Sequence, residues 1–133
     1  MELSIPASPS RLAALRRAAR AALRGISEEV ADDVVLALNE AATNAVLYGS
    51  RGGQPIQVLV HVTGDWVEAS VLDHGPQPPP GLPVDTEHGE LGAGGRGLWV
   101  LRRLVDEVRL EQVRLGTRVT LRRALRPAGT LAP

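Results

Sequence analysis

From His74 to Gly97 the sequence runs HGPQPPPGLPVDTEHGELGAGGRG, so dense in proline and glycine that no regular helix or strand can pass through it. The stretch is also longer than an ordinary connection between two elements of one domain. A fold for this chain therefore has to be assembled from what lies on either side, with a long irregular segment placed between. On the N-terminal side, two alternating stretches stop where it begins. On the C-terminal side a helical period starts where it ends.

Before the irregular segment, ELSI (Glu2 to Ile5) alternates and predicts a short strand. SPSRLAALRRAARAALRG places Pro9 after a capping Ser8, then apolar residues at Leu12, Leu15, Ala19, Ala22 and Leu23, with Gly25 as the stop. This is an amphipathic helix with an arginine-rich outer face. Ser27 is positioned to cap a second helix, Glu28 and Glu29 complement its positive N-terminal end, and Gly49 ends it. QPIQVLVHV and WVEASVLD then read as strands joined by a tight turn at TGD. Ile56, Val58, Val60 and Val62 share one face of the first strand; Val67, Ala69 and Val71 share one face of the second. After the irregular segment, GLWVLRRLVDE is helical, with Leu98, Leu101, Leu104 and Val105 on one side. EVRLEQ and GTRVTLRR are strands that close the chain, and the tail ALRPAGTLAP has no pattern. Strands that pair mainly with sequence neighbours, together with one-faced helices, predict an α+β two-layer sandwich. Its sheet is expected to be mixed but mostly antiparallel, with the helices on one face. The reading is one domain over 1–123, an irregular lid at about 76–94 and a tail over 124–133.

Composition excludes several functions. The formal net charge is zero and aromatic residues make up 2% of the chain. That argues against direct nucleic-acid binding, which favours a basic face with stacking rings. No cysteine is present, so thiolate metal sites and cysteine nucleophiles are excluded. No apolar run is long enough to span a bilayer, and MELSIPASPS lacks the plan of a secretory signal; a cytoplasmic protein is expected. All the basic residues are arginine. Without lysine, neither a G-x-x-x-x-G-K-[ST] phosphate loop nor a Schiff base can form, so any nucleotide must be held in another way.

Four features carry chemistry. At about 100° per residue, Val34, Leu38, Ala41 and Ala45 centre the apolar arc of the second helix. Glu40 and Asn44 lie together at its margin, one turn apart, with Leu36 and Leu47 on their far side. This is either a polar helix rim or a ligand-facing pair, since a carboxylate at a core margin calls for a cation or a partner. Asp73 continues the inward series Val67, Ala69, Val71, so its carboxylate points to the helix side where the strand ends. It could bond its own turn, as Asp before Gly commonly does, or accept the amino group of a heterocycle. GAGGRGL (Gly92 to Leu98) opens a helix, where glycine amides can converge on an anion or simply supply flexibility. It spells G-x-G-x-x-G, but no strand directly precedes it, so the dinucleotide reading is rejected. Finally, Thr117 heads an inward series with Val119 and Leu121.

Taken in order, Glu-x-x-x-Asn on a helix, Asp-x-Gly after a strand, Gly-x-Gly-Leu opening a helix and Gly-Thr before a last strand resemble the GHKL ATPases. These have the Bergerat fold, as in gyrase and histidine kinases. The short layout is similar to the anti-sigma serine kinases of bacteria, with EAATNAVLYG and GGRGLWVLRRLVDEV as the blocks most alike. The resemblance implies ATP and Mg²⁺ as cofactors. It implies that Asn44 coordinates the metal and that Glu40 is the general base. Asp73, with Thr117 beside it, would receive the adenine amino group. Gly75 would let the backbone pass close to the base, and Gly95, Gly97 and Leu98 would form the phosphate-binding turn. Two positions depart from the family pattern: Asp-x-Gly-x-Gly ends here in Gln77 after Pro76, and Tyr48 stands where relatives often have histidine.

The implied function is an ATP-binding anti-sigma regulator that sequesters a sigma factor and phosphorylates a serine of an anti-anti-sigma protein. Relatives often form dimers, so a homodimer is also implied. A non-catalytic, nucleotide-gated switch shares every binding residue. A third reading is an interaction domain that uses the arginine face of the first helix, although such faces are mostly just solvated.

Overall fold

The computed structural model describes residues 1–49, 54–75, 99–114 and 116–125. The expected lid at 76–94, with Gly95, Gly97 and Leu98, lies outside the described residues, as does 126–133 of the tail. The elements in order are β1 (Glu2–Ile5), a 3₁₀ turn (Pro9–Arg11), α1 (Leu12–Ala22), α2 (Glu28–Asn44), a π-helical turn (Ala45–Gly49), β2 (Ile56–Val62) and β3 (Trp66–Leu72). Helical residues 99–104 follow (α3), then β4 (Glu107–Val113) and β5 (Gly116–Ala124).

The five strands form one sheet in the order β1-β2-β3-β5-β4. Every pairing among the described strands is antiparallel, in keeping with the mostly antiparallel sheet expected. The reason is topological: β2–β3 and β4–β5 are hairpins, and the second hairpin docks through its later strand, β5, against β3. Register then stacks apolar side chains in rows across the inner face. Val58 pairs with Val71, Val71 with Val119, and Val119 with Leu110. A second row runs Val60, Ala69, Leu121, Val108. Val62, expected on this face, is 37% exposed because β2 leaves the helical layer where it enters the hairpin.

Both long helices cover this face. α1 buries Leu12, Leu15 and Ala19, with Leu23 just beyond its end. Gly25 stops it at φ 87°, a left-handed conformation that glycine adopts at no steric cost. Ser8 does not cap α1. Its hydroxyl pairs with that of Ser10 at 3.0 Å, because the helix starts with a tight 3₁₀ turn on Pro9. Ser27 caps α2 as expected, accepting from the Val30 N–H at 3.3 Å. α2 buries Val30, Ala31, Val34, Val35, Ala37, Leu38, Ala41 and Ala42. Its alanines are short enough to bring the helix close to β3 and β5, which it crosses. Each large aliphatic side chain buried here contributes about 1.5–3 kcal/mol relative to exposure.

Ion pairs tie the layers together. Arg20 meets Asp32 at 2.8 Å between α1 and α2, and Arg16 donates to Asn39 at 2.8 Å. Both pairs are exposed and contribute little. Arg123 is different: it projects inward from β5, is 8% exposed and donates to Asp33 on α2 at 3.1 and 3.3 Å. Among the described residues, no helix is long and apolar enough to cross a membrane.

Candidate nucleotide site

β3 ends at Leu72, but its alternation continues for one more residue, so Asp73 enters the helix side of the sheet as expected and is 6% exposed. The neighbouring strand holds it there. The Asp73 N–H donates to the Thr117 carbonyl at 3.0 Å, and the Thr117 N–H donates to Asp73 Oδ1 at 3.3 Å. The Gly75 N–H reaches the same oxygen at 2.9 Å. The turn reading of the aspartate is realised in the Gly75 N–H bond to Oδ1, and Oδ2 takes neither of these two amide bonds. Burial pushes the Asp73 carboxyl above its ordinary 3.8. The Gly75 and Thr117 amides and the charge of His74 act in the opposite direction without reversing it.

Thr117 is 2% exposed, and its Oγ1 is buried with no hydrogen-bond partner among the described residues. A buried hydroxyl left unpaired costs stability and asks for a ligand or a water. It heads β5 directly beside the aspartate. One strongly buried acceptor and one unsatisfied hydroxyl at the end of an apolar series suit the polar edge of a heterocycle.

Three glycines pack around this pair. A Cβ on Gly49 would meet Asp73 Oδ2, one on Gly75 would meet the Gly49 carbonyl oxygen, and one on Gly116 would meet the Asp73 carbonyl oxygen. Backbone therefore lies against backbone at the floor of the site, where any side chain would fill the space. The sequence reading identified Gly75, but it took Gly49 only as a helix stop and did not single out Gly116. Their signal was adjacency: each lies at an end of a motif-bearing element, and such a contact becomes visible only once the ends meet.

Gly49 also brings the second helix to the site. α2 ends at Asn44 and continues as the π turn Ala45–Gly49, which delivers Gly49 to the aspartate. Glu40 and Asn44 are half-buried on the last turns of α2, while Leu36 and Leu47 are 49% and 58% exposed beside them. The carbonyl end of a helix favours a cation. Asn44 offers an amide oxygen there, a hard donor of the kind magnesium accepts alongside phosphate oxygens and water. The residues present thus fit a magnesium–nucleotide. The structure brings together Asp73, Gly75 and Thr117, and it ends the Glu40–Asn44 helix on them. Gly95, Gly97 and Leu98 fall outside the described residues.

Comparison with known proteins identifies the family and the fold. The family pattern of the histidine kinase-like ATPase domain matches residues 5–123. The serine-protein kinase RsbW of Bacillus licheniformis is 31% identical over 137 residues, spanning 94% of this chain and 85% of the relative. RsbW of Bacillus pumilus is 33% identical over 125 residues, covering 84% and 77% of the two chains. Among solved structures, the RsbU and RsbW domains of Rv1364c from Mycobacterium tuberculosis superpose with a TM-score of 0.72 at 26% identity. That match covers 99% of this chain but 34% of the other, which is much longer. A histidine kinase domain from Erythrobacter litoralis, at 22% identity and a TM-score of 0.54, shares the fold. Matched by the family pattern over residues 5–123 and by RsbW relatives at 31% and 33% identity over most of its length, the chain belongs to the histidine kinase-like ATPase family, alongside the RsbW serine-protein kinases.

Proposed function

We propose that the chain is an ATP-binding anti-sigma regulator. It is a protein serine kinase of the RsbW type, which sequesters a sigma factor and phosphorylates a serine on an anti-anti-sigma antagonist. The observation that carries the nucleotide half is the buried Thr117 hydroxyl, which has no hydrogen-bond partner among the described residues, beside the buried Asp73 carboxylate. This pairing fits the amino edge of an adenine. The kinase half rests on the RsbW relatives. A cytoplasmic location follows from such partners.

Asp73 accepts the adenine amino group, and Thr117 hydrogen-bonds beside it, directly or through water. Asn44 holds the metal, with its oxygen at the carbonyl end of α2. Bound magnesium would supply neutralisation of the phosphate charge, together with backbone amides, in a chain that has no lysine for the purpose. Gly95 and Gly97 are assigned to those amides. Glu40 receives the proton of the attacking serine hydroxyl as its oxygen bonds to the γ-phosphorus and the bond to the ADP oxygen breaks.

The test is phosphoserine formation in a mixture of the protein, Mg-ATP and its cognate antagonist. Glu40→Ala should bind Mg-ATP normally and fail to transfer. Normal nucleotide binding with no transfer by the unaltered protein to its cognate antagonist would instead describe a nucleotide-gated switch without catalysis.

A further inference from the structure

His74 stands between the two residues of the Asp-x-Gly turn, and the nucleotide reading gives it no role. Its ring Nδ1 lies 2.8 Å from the carbonyl oxygen of Pro55. A carbonyl oxygen only accepts, so Nδ1 carries the hydrogen of this bond. Pro55 immediately precedes β2. The last paired residues of β2 and β3 at this end are Gln57 and Leu72, so the same register places Pro55 opposite His74. Proline has no N–H with which to continue the ladder. The imidazole supplies the rung there instead, a side chain doing what the backbone cannot.

The bond joins the segment before β2 to a turn that also meets β5 and the end of the π turn. Asp73 is bonded to β5 through Thr117, Gly75 lies against Gly49 at the end of α2, and a Cβ on Gly116 would crowd the His74 Cα. The turn is thus bonded to β5 through Asp73 and packed on Gly49 through Gly75, and the imidazole adds a solvent-exposed bond to a third segment, at the start of β2. Among the described residues the two backbone donors to the Asp73 carboxylate, Gly75 and Thr117, both reach Oδ1, so Oδ2 is the oxygen we assign to an incoming N–H. Its direction depends on where the Gly75 amide points.

Resting on the adenine reading of Asp73, we propose that His74 is a positioning residue for the nucleobase: by hooking the turn to the Pro55 carbonyl, it holds Asp73 and Gly75 in the arrangement that distinguishes a 6-amino from a 6-oxo purine. Its effect falls on base recognition rather than on transfer.

The test combines a spectroscopic and a thermodynamic readout. Ring nitrogen NMR of the nucleotide-free protein at alkaline pH should show the neutral His74 protonated at Nδ1, and Nε2 protonation would overturn the proposal. Calorimetric titrations then compare ADP with IDP, which carries oxygen in place of the 6-amino group. In His74→Ala, ADP affinity should fall about three- to tenfold, the range of one hydrogen bond. IDP affinity should change less, so the preference narrows. In His74→Asn, whose side-chain amide nitrogen takes the place of Nδ1, affinity and preference should return to within about twofold of the unaltered protein. An unchanged ADP-to-IDP ratio in His74→Ala, whether both ligands weaken equally or not at all, overturns the positioning role. If the unaltered protein already fails to prefer ADP over IDP, the adenine reading of Asp73 falls, and this proposal falls with it.

Discussion

The Cα of Gly49 packs directly against the carboxylate of Asp73, so that a methyl group added there would overlap Oδ2. This contact joins the end of the α2 layer to the end of β3. It predicts that Gly49→Ala displaces the carboxylate. We expect a loss of about 1–3 kcal/mol in stability from overpacking and a drop in ADP affinity of at least about tenfold. Gly64→Ala, in the β2–β3 hairpin where nothing lies within 4 Å of the added carbon, is the matched control and should change neither. Thermal melts and calorimetry on the two variants measure both quantities.

Asp73 sets function against stability. Its carboxyl titrates above the ordinary 3.8 because burial disfavours the charge. The folded chain therefore binds this proton more tightly than the unfolded chain does. The stability that this group contributes is fully present below 3.8 and is lost as pH rises through the higher folded value, so at neutral pH the ionised carboxylate is a cost. Asp73→Asn keeps an oxygen for the Gly75 and Thr117 amides and removes the charge. Its nucleotide-free melting temperature at neutral pH should equal or exceed that of the unaltered protein, while ADP binding is lost. The same sign predicts that ADP affinity in the unaltered protein falls on acidification toward the folded value.

Thr117→Val removes the hydroxyl that has no partner among the described residues and keeps the shape. The empty protein should be unaffected or slightly stabilised, because an unsatisfied buried group is gone. ADP should bind about three- to tenfold more weakly. A melting temperature that drops by several degrees would mean that the hydroxyl was already satisfied in the empty protein.

Asn44→Ala should abolish the magnesium dependence of nucleotide affinity, leaving a weak binding that is the same with and without the metal. Titrations of ADP with and without magnesium measure this. A magnesium dependence equal to that of the unaltered protein would remove the metal role from Asn44.

The Arg123–Asp33 pair crosses from sheet to helix in a largely buried setting. Breaking it by Asp33→Ala leaves the guanidinium with Glu29 at 4.0 Å and the Ala124 carbonyl at 2.8 Å. Asp33 is 30% exposed, so the loss should be about 1–3 kcal/mol, below the range for a fully buried pair. Arg123→Met in the same background should recover part of it. Denaturant melts of the single and double variants give the coupling.

Much of this arrangement was legible because periodicity is local. Leu12, Leu15 and Ala19 marked the buried stripe of α1, Ser27 marked the start of α2, and alternation through Val71 carried Asp73 to the inner face. Register was not legible, because nothing in GTRVTLRR states that β5 docks on β3 rather than on an outer edge. The inward Arg123 escaped notice for the same reason, since its partner Asp33 lies 90 positions away. Ser8 misled because a serine before a proline looks like a cap whether the first turn is α-helical or 3₁₀. The glycine contacts at Gly49 and Gly116, and the His74–Pro55 bond, join segments that are distant in sequence, and no local pattern encodes such meetings.

Residues 49, 73, 75 and 116 come together only when the helix end, the strand end and the last hairpin have all arrived. An unfolded chain has no fragment of this crevice to offer, so whatever occupies it binds the finished molecule alone and lowers the fraction of open chains by mass action. The lifetime of this regulator against proteolysis should then follow the adenylate supply, with starvation thinning the pool of regulator and fuel-rich conditions preserving it.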